Sequence, residues 1–342
     1  MGPAPEGILA VGVIGTGSIG TDHARRLSRA ISGARVQAVF DVDEERAGAL
    51  AEEIGVPARR DASEVIDDPG TDAVLVASAD ESHAEMVLAC IAAGKPVLCE
   101  KPLAPTEEEC RIVIAAEVTS AKHLVQVGFM RRYDIGFASL KKVIDDGTIG
   151  DVLVVHCVHR NASSPPGFTS SMSFTSSVIH EIDTARWLLG EELVAVTVAG
   201  ARQSPRAPSG LRDPQLARLE GASGAVVDVE VFVNCQYGYD VRCEVVGSDG
   251  SAALDDPASS TTTLAGLRRQ EIAPDWRDRF APAYHTELQR WVDDIRAGGP
   301  SGPSAWDGYA ATAAAECAVR SLETGRRIPI ELDDRPAFYV PA

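Results

Sequence analysis

The sequence predicts a doubly wound parallel α/β domain over residues 1–130 and an α+β domain with an open, mostly antiparallel sheet over 131–342. Three observations carry this reading. Short apolar runs alternate with helical patterns over roughly the first 125 residues, the signature of a parallel sheet covered by helices. The run Val11–Ile14 opens into Gly15-Thr-Gly-Ser-Ile-Gly20, a G-x-G-x-x-G turn leading into a helix, which is the pattern of a Rossmann unit. After about Gly128 the pattern changes, and Leu193–Gly200, Gln215–Leu219, Ala225–Asn234, Tyr239–Gly247 and Ser251–Leu254 follow as strand-like runs with no helix between them.

Each element has its own local reason. Residues 1–7 contain Pro and Gly and read as a loose lead, and a helix follows the glycine turn from Ser18 to Ser32. Arg35–Phe40 is a strand that ends at Asp41. Asp43–Ile54 reads as a helix stopped by Gly55-Val-Pro57, and 61–67 as a short one. Ala73–Ala77 is a continuous apolar run, as a strand buried on both faces requires. A helix over 82–93 closes at Gly94, Pro96–Cys99 is the next strand, and Thr106-Glu-Glu-Glu109 is a capping box opening a helix to about Val118. His123–Phe129 completes the series. Beyond it come a helix over 134–146, a strand over 152–160, a polar loop over 161–177 and a helix over 179–189. Helices over 284–296 and 310–323, near the C-terminus, are candidates to pack back on the first domain.

Bulk properties narrow the function classes. A length of 342 residues with 45% hydrophobic content suits two globular domains. The net charge of −18 argues against broad nucleic-acid or anionic-membrane binding. Seven dispersed cysteines without a C-x-x-C pair suit reduced thiols and a cytoplasmic location, and no metal-ligand spacing is present. No secretory signal or membrane-spanning run is read from the sequence.

In the glycine turn, Gly15 can make the tight bend, Gly17 leaves room for a pyrophosphate, and Gly20 lets the helix approach the strand. Asp41 lies 21 residues after Gly20, where an acid accepts the adenosine ribose hydroxyls. Asp41 and Asp43 would repel a 2′-phosphate, and no Arg or Lys follows until Arg46, so NAD is expected rather than NADP. Polar groups stand at three strand ends: Ser78 and His83, then Glu100-Lys101-Pro102, then Arg131. Lys101 reads either as a lysine held over the cleft by the following proline or as a solvated lysine paired with Glu100. His83 reads as a helix-start residue or as a group with a direct role. His180, at a helix start after a polar loop, suits proton transfer, or else is a buried histidine bonded to Asp183 or to backbone.

The glycine turn, Glu100-Lys101-Pro102, Gly128-Phe-Met-Arg-Arg-Tyr-Asp134 and His180-Glu-Ile-Asp183 together resemble the Gfo/Idh/MocA oxidoreductases. Within that family the chain is most similar to the bacterial inositol 2-dehydrogenases, through 159–167 and 234–247 in particular. The resemblance implies an NAD-dependent dehydrogenase of CH–OH groups on a polyol or sugar, without a metal. It implies that Lys101 binds the reacting hydroxyl and that His180 is the general base in oxidation. Asn161, Ser176, Ser177 and Tyr239 would join them around the substrate. The cofactor would meet Gly15, Gly17, Ser18 and Ile19 at the turn and Asp41 and Val42 at the ribose, with Ser78, His83, Glu100, Lys101 and Arg131 nearer the nicotinamide. A homodimer or homotetramer assembled through the open sheet is also implied.

One position departs from the subgroup. The inositol dehydrogenases usually carry Asp four residues before the histidine, where this chain has Ser176. An acid there orients the imidazole and stabilises its cation, which a serine cannot do. Three readings follow: a different substrate such as an aminocyclitol or sugar nucleotide, partial substitution by Asp183, or an NAD-binding sensor with impaired chemistry.

Overall fold

Two strands of the first sheet, Leu9–Ile14 and Ala73–Val76, read as uninterrupted apolar runs, and every residue in them is buried. In the computed structural model, which describes residues 7–255 and 261–340, the chain forms two units. Most of the expected lead at 1–7 lies outside the described residues. The first unit builds β1 (Leu9–Ile14), α1 (Ser18–Arg29), β2 (Ala34–Phe40), α2 (Glu44–Ile54), α3 (Ala62–Ile66), β3 (Ala73–Val76), α4 (His83–Ala92), β4 (Val97–Glu100), α5 (Glu107–Ser120) and β5 (Val125–Gly128). All five strands are parallel, in the order β2-β1-β3-β4-β5. The order reverses between β1 and β3, and ligands of such sheets bind outside the strand ends at that point. Local signals match the ends of the helices: Asp43 caps α2 by accepting from the Arg46 N–H, Gly55 closes it in the left-handed region, and Thr106 with Glu109 forms the capping box of α5.

The second unit opens with α6 (Ile135–Asp145), β6 (Val152–Arg160) and α7 (Ile179–Leu189). Then come β7 (Leu193–Gly200), β8 (Gln215–Gly221), β9 (Val226–Phe232), β10 (Asp240–Gly247), β11 (Ser251–Ala253), and the short hairpin β12 (Thr262–Leu264) and β13 (Leu267–Arg269). The chain finishes with α8 (Trp276–Ala297), α9 (Ala305–Thr324) and β14 (Ile328–Pro329). The large sheet runs β11-β10-β6-β9-β8-β7-β14 and is antiparallel except for the β6–β9 pair. Alternation is plain in β6, where Val155, Cys157 and His159 are buried and His156 is exposed. The loop expected over 161–177 holds a π-helical turn, Ser173–Val178, that runs straight into α7.

The two last helices start earlier than the sequence suggested, at Trp276 and Ala305 rather than 284 and 310. The start of α9 carries a readable cap, since Asp307 accepts from the N–H of Ser304 at 2.8 Å and from its hydroxyl at 2.9 Å. Residues 284–312 and 333–340, expected in the second domain, group instead with the first unit. The reason is packing: Leu288, Trp291 and Val292 of α8 are fully buried in one cluster with Val11, Leu27, Leu75 and Leu98. Trp291→Ala is therefore expected to destabilise the first unit by about 3–5 kcal/mol in urea unfolding of the whole chain. An unfolding midpoint equal to wild type would show that α8 is dispensable to that core.

Candidate active site

In the first unit the glycine turn shows why its three glycines are there. Gly15 has φ of +93°, and a Cβ on it would lie 2.4 Å from the Ala77 carbonyl group. A Cβ on Gly20 would lie 2.0 Å from the Gly15 carbonyl oxygen, so α1 could not descend onto the sheet. A Cβ on Gly17 would meet nothing within 4 Å. That open space faces the start of α1, which has no side-chain cap and no acid in its first turn. Its N–H groups at exposed Ser18 and half-buried Ile19 suit a phosphate group, so the residues present fit a dinucleotide.

Asp41, at the end of β2, is 6% exposed, whereas Val42 beside it is 88% exposed. One Asp41 oxygen accepts from the Thr16 N–H at 2.6 Å and from its hydroxyl at 3.0 Å. The other accepts from the Asp43 N–H at 2.9 Å and from Arg46 at 2.6 Å. Burial works against charge on this carboxyl, but the bonds from Arg46, Asp43 and Thr16 prevail and hold its pKa at about 2. The repulsion of a 2′-phosphate expected from Asp41 is thus offset by Arg46, which folds back onto it. Arg46 was visible in the sequence, but its return to Asp41 depends on the turn into α2.

The strand ends beyond the glycine turn bring Ser78, His83, Glu100 and Lys101 into the same unit. Ser78 shares a hydroxyl hydrogen bond of 2.7 Å with Ser82. His83 is 1% exposed, and its two ring nitrogens face the carbonyl oxygens of Pro102 at 2.7 Å and Ser78 at 3.2 Å. The Glu100 carboxylate meets the His23 Nε2 at 2.7 Å and accepts from the Lys101 N–H at 3.3 Å. His23 had no place in the sequence reading. The available signal was its position three residues after Gly20, among the residues that α1 buries.

In the second unit, consecutive arginines grip the start of α7. Arg131, 2% exposed, makes an ion pair with Glu181, and His159 meets both Glu181 oxygens at 3.0 Å. Arg132 holds Asp183 through bonds of 3.0 and 2.5 Å. Burial opposes charge on Glu181, yet Arg131 and His159 keep its carboxyl below the usual range. Arg131, expected beside the cofactor, has its guanidinium committed to this buried cluster and stacked near Phe137 and Phe280. Tyr239 is 5% exposed, with its ring edge-on to His159 at 5.7 Å, and burial pushes its phenol pKa up. His180, 7% exposed, is the second residue of α7, directly after the π-helical turn that carries Ser176 and buried Ser177. Asn161 places a buried side-chain oxygen that has no hydrogen-bond partner among the described residues. Among the described residues no group of three or more His, Cys, Asp or Glu is placed to hold a metal, and no helix is long and apolar enough to cross a membrane.

Comparison with known proteins agrees over almost the whole chain. Residues 9–129 match the oxidoreductase family model described as an NAD-binding Rossmann fold, and 141–332 match its C-terminal alpha/beta domain. Inositol 2-dehydrogenase 3 of Saccharopolyspora erythraea is 50% identical over 331 residues, covering 97% of this chain and 98% of that protein. Inositol 2-dehydrogenase of Streptomyces avermitilis is 50% identical over 333 residues, 97% of each chain. The crystal structure of myo-inositol dehydrogenase from Lactobacillus casei, in complex with NAD(H) and myo-inositol, superposes with a TM-score of 0.95 at 38% identity, covering 97% of this chain and 100% of that one. With both of its units matched and half of its residues shared with full-length relatives, this chain belongs to the Gfo/Idh/MocA family of oxidoreductases.

Proposed function

We propose that this protein oxidises one secondary alcohol of an inositol-like cyclitol to the ketone, with Lys101 and His180 handling the proton. As a family member half identical to inositol 2-dehydrogenases, the chain is an NAD-dependent dehydrogenase of CH–OH groups. The observation that carries the cyclitol reading is the likeness of the whole chain, at a TM-score of 0.95, to an enzyme holding NAD(H) and myo-inositol.

The glycine turn and the start of α1 take the pyrophosphate, and Asp41 takes the adenosine ribose. When bound, NAD supplies the acceptor for the carbinol hydrogen and its electron pair. Lys101 donates a hydrogen bond to the reacting oxygen and stabilises the negative charge that develops there. His180 receives the hydroxyl proton in oxidation and returns it in reduction. The Asn161 side-chain oxygen is an acceptor for a further ring hydroxyl, and Tyr239 and Ser177 belong to the wall around the ring. We also propose a homodimer or homotetramer. The exposed face of the large sheet, with half-buried Val154, Val158 and Phe232 and exposed Leu216, supports it.

Ser176 favours a second reading, in which the preferred ring carries an amino group or lacks a hydroxyl. Without a carboxylate at that position, a cation formed at His180 has less support, and the substrate must make a different demand on the site.

Lys101→Ala is expected to lower turnover of a ring polyol by roughly 10²–10³-fold while NAD affinity stays within about threefold, read by NADH absorbance and by NAD titration. Retained turnover would remove Lys101 from the chemistry. Asp41→Ala should leave Arg46 without its carboxylate and shift the ratio of kcat/KM with NAD to that with NADP by about tenfold or more toward NADP. An unchanged ratio would place ribose recognition elsewhere. Ser176→Asp should raise kcat/KM on myo-inositol by about tenfold, and it should lower turnover of whichever aminocyclitol the wild type prefers. No change on any ring polyol would dismiss position 176 as a specificity determinant.

A further inference from the structure

Lys101 sits in a turn, and the residues on either side of it in the chain are anchored to buried imidazoles. On one side is Glu100, the last residue of β4 and 6% exposed. Its carboxylate is held by Nε2 of His23 at 2.7 Å and receives the Lys101 N–H at 3.3 Å. His23 has no exposure to solvent and lies on α1, with the Tyr284 ring edge-on at 5.5 Å. The carboxylate can lie across β5 because Gly128 has no side chain: a Cβ there would come within 3.1 Å of it. On the other side is Pro102, whose carbonyl oxygen meets Nδ1 of His83 at 2.7 Å. His83 opens α4, and its Nε2 faces the Ser78 carbonyl oxygen at 3.2 Å, tying the turn to the end of β3.

We infer that His23 and His83 are positioning residues for Lys101, fixing the backbone from which its side chain reaches the substrate. This rests on the reading of Lys101 as the group that binds the reacting hydroxyl. A lysine carries a long flexible stem, so the placement of its ammonium depends on how firmly its backbone is held. A misplacement of about 1 Å can lower a rate by roughly 10²-fold. The arrangement also gives α1 two duties. Its first turn faces the expected pyrophosphate, and its next turn holds the strand end that carries Lys101. His83, which the sequence left open between a helix-start residue and a direct role, meets the Pro102 carbonyl oxygen of this turn.

The test compares wild type with His23→Ala, His23→Gln, His83→Ala, Gly128→Ala and Lys101→Ala, using NAD and the ring polyol that the wild type turns over. Folding is checked by circular dichroism, NAD binding by titration, and the lysine signals by NMR of enzyme labelled with 13C at lysine Cε. The chain has only five lysines, Lys95, Lys101, Lys122, Lys141 and Lys142, so the Lys101 signal is assignable from its loss in Lys101→Ala. Both histidine-to-alanine variants should lower kcat by about tenfold or more, keep the NAD dissociation constant within about threefold, and move the Lys101 signal alone. His23→Gln keeps an N–H for the Glu100 carboxylate and should recover most of the loss. Should the alanine variants not fold, Gly128→Ala, which presses one methyl group on that carboxylate, should reproduce the kcat loss and the moved signal. Folded histidine variants with kcat within about twofold of wild type and an unmoved Lys101 signal would overturn the inference. Full turnover by Lys101→Ala would overturn it by a different route, since the histidines would then hold a residue that does no chemistry.

Discussion

The first unit depends on one close approach: α1 passes so near the end of β1 that a Cβ on Gly20 would sit 2.0 Å from the Gly15 carbonyl oxygen. No side chain larger than hydrogen fits there. Because the helix can descend, Ala24 and Leu27 reach the apolar core and His23 reaches Glu100 at the end of β4. The same descent aims the uncapped start of α1 past Gly17 into open space. Core packing, the direction of the uncapped α1 start and the anchoring of the Lys101 turn therefore share a single steric condition.

The second unit solves a different problem, that of holding a helix start rigid within an apolar interior. Glu181 and Asp183 follow His180 on the first turn of α7, and each is matched by one of two consecutive arginines. Burying one such charge alone is strongly unfavourable, while burying it against a guanidinium and hydrogen bonds is tolerated and fixes direction. The pairs are worth little as net stability. Their consequence is orientation, because two carboxylates on one helical turn can satisfy two adjacent arginines in only one rotational setting of α7.

Much of this was legible in the sequence where a local rule decides the outcome. The parallel strands announced themselves as apolar runs, the glycine turn by its spacing, and α2 and α5 by Asp43 and the Thr106–Glu109 box. Legibility fell where a distant partner decides. The early start of α9 was signalled by Ser304 and Asp307, and that of α8 by Asp275, which accepts from the Arg277 N–H at 2.8 Å, but α8 then runs through Pro282. Its packing with the first unit depends on Trp291 finding β-sheet residues far away in sequence. His23 and Arg46 are ordinary residues until the fold brings Glu100 and Asp41 to them. Arg131 stands at a strand end, and its ion pair with Glu181, 50 positions later, is likewise decided by a distant partner.

Charge balance at α7 also bears on the serine at position 176. Two carboxylates and two guanidiniums already cancel there in pairs. An aspartate in place of Ser176 would be a further negative charge on the turn preceding His180, balanced only when the imidazole is protonated. Such an acid favours the protonated imidazole, which helps a base accept a proton and hinders its return. With serine at position 176 that bias on the imidazole is absent. Ser176 thus removes a bias on the imidazole while Lys101 and His180, the residues proposed to handle the proton, stand unchanged in the sequence.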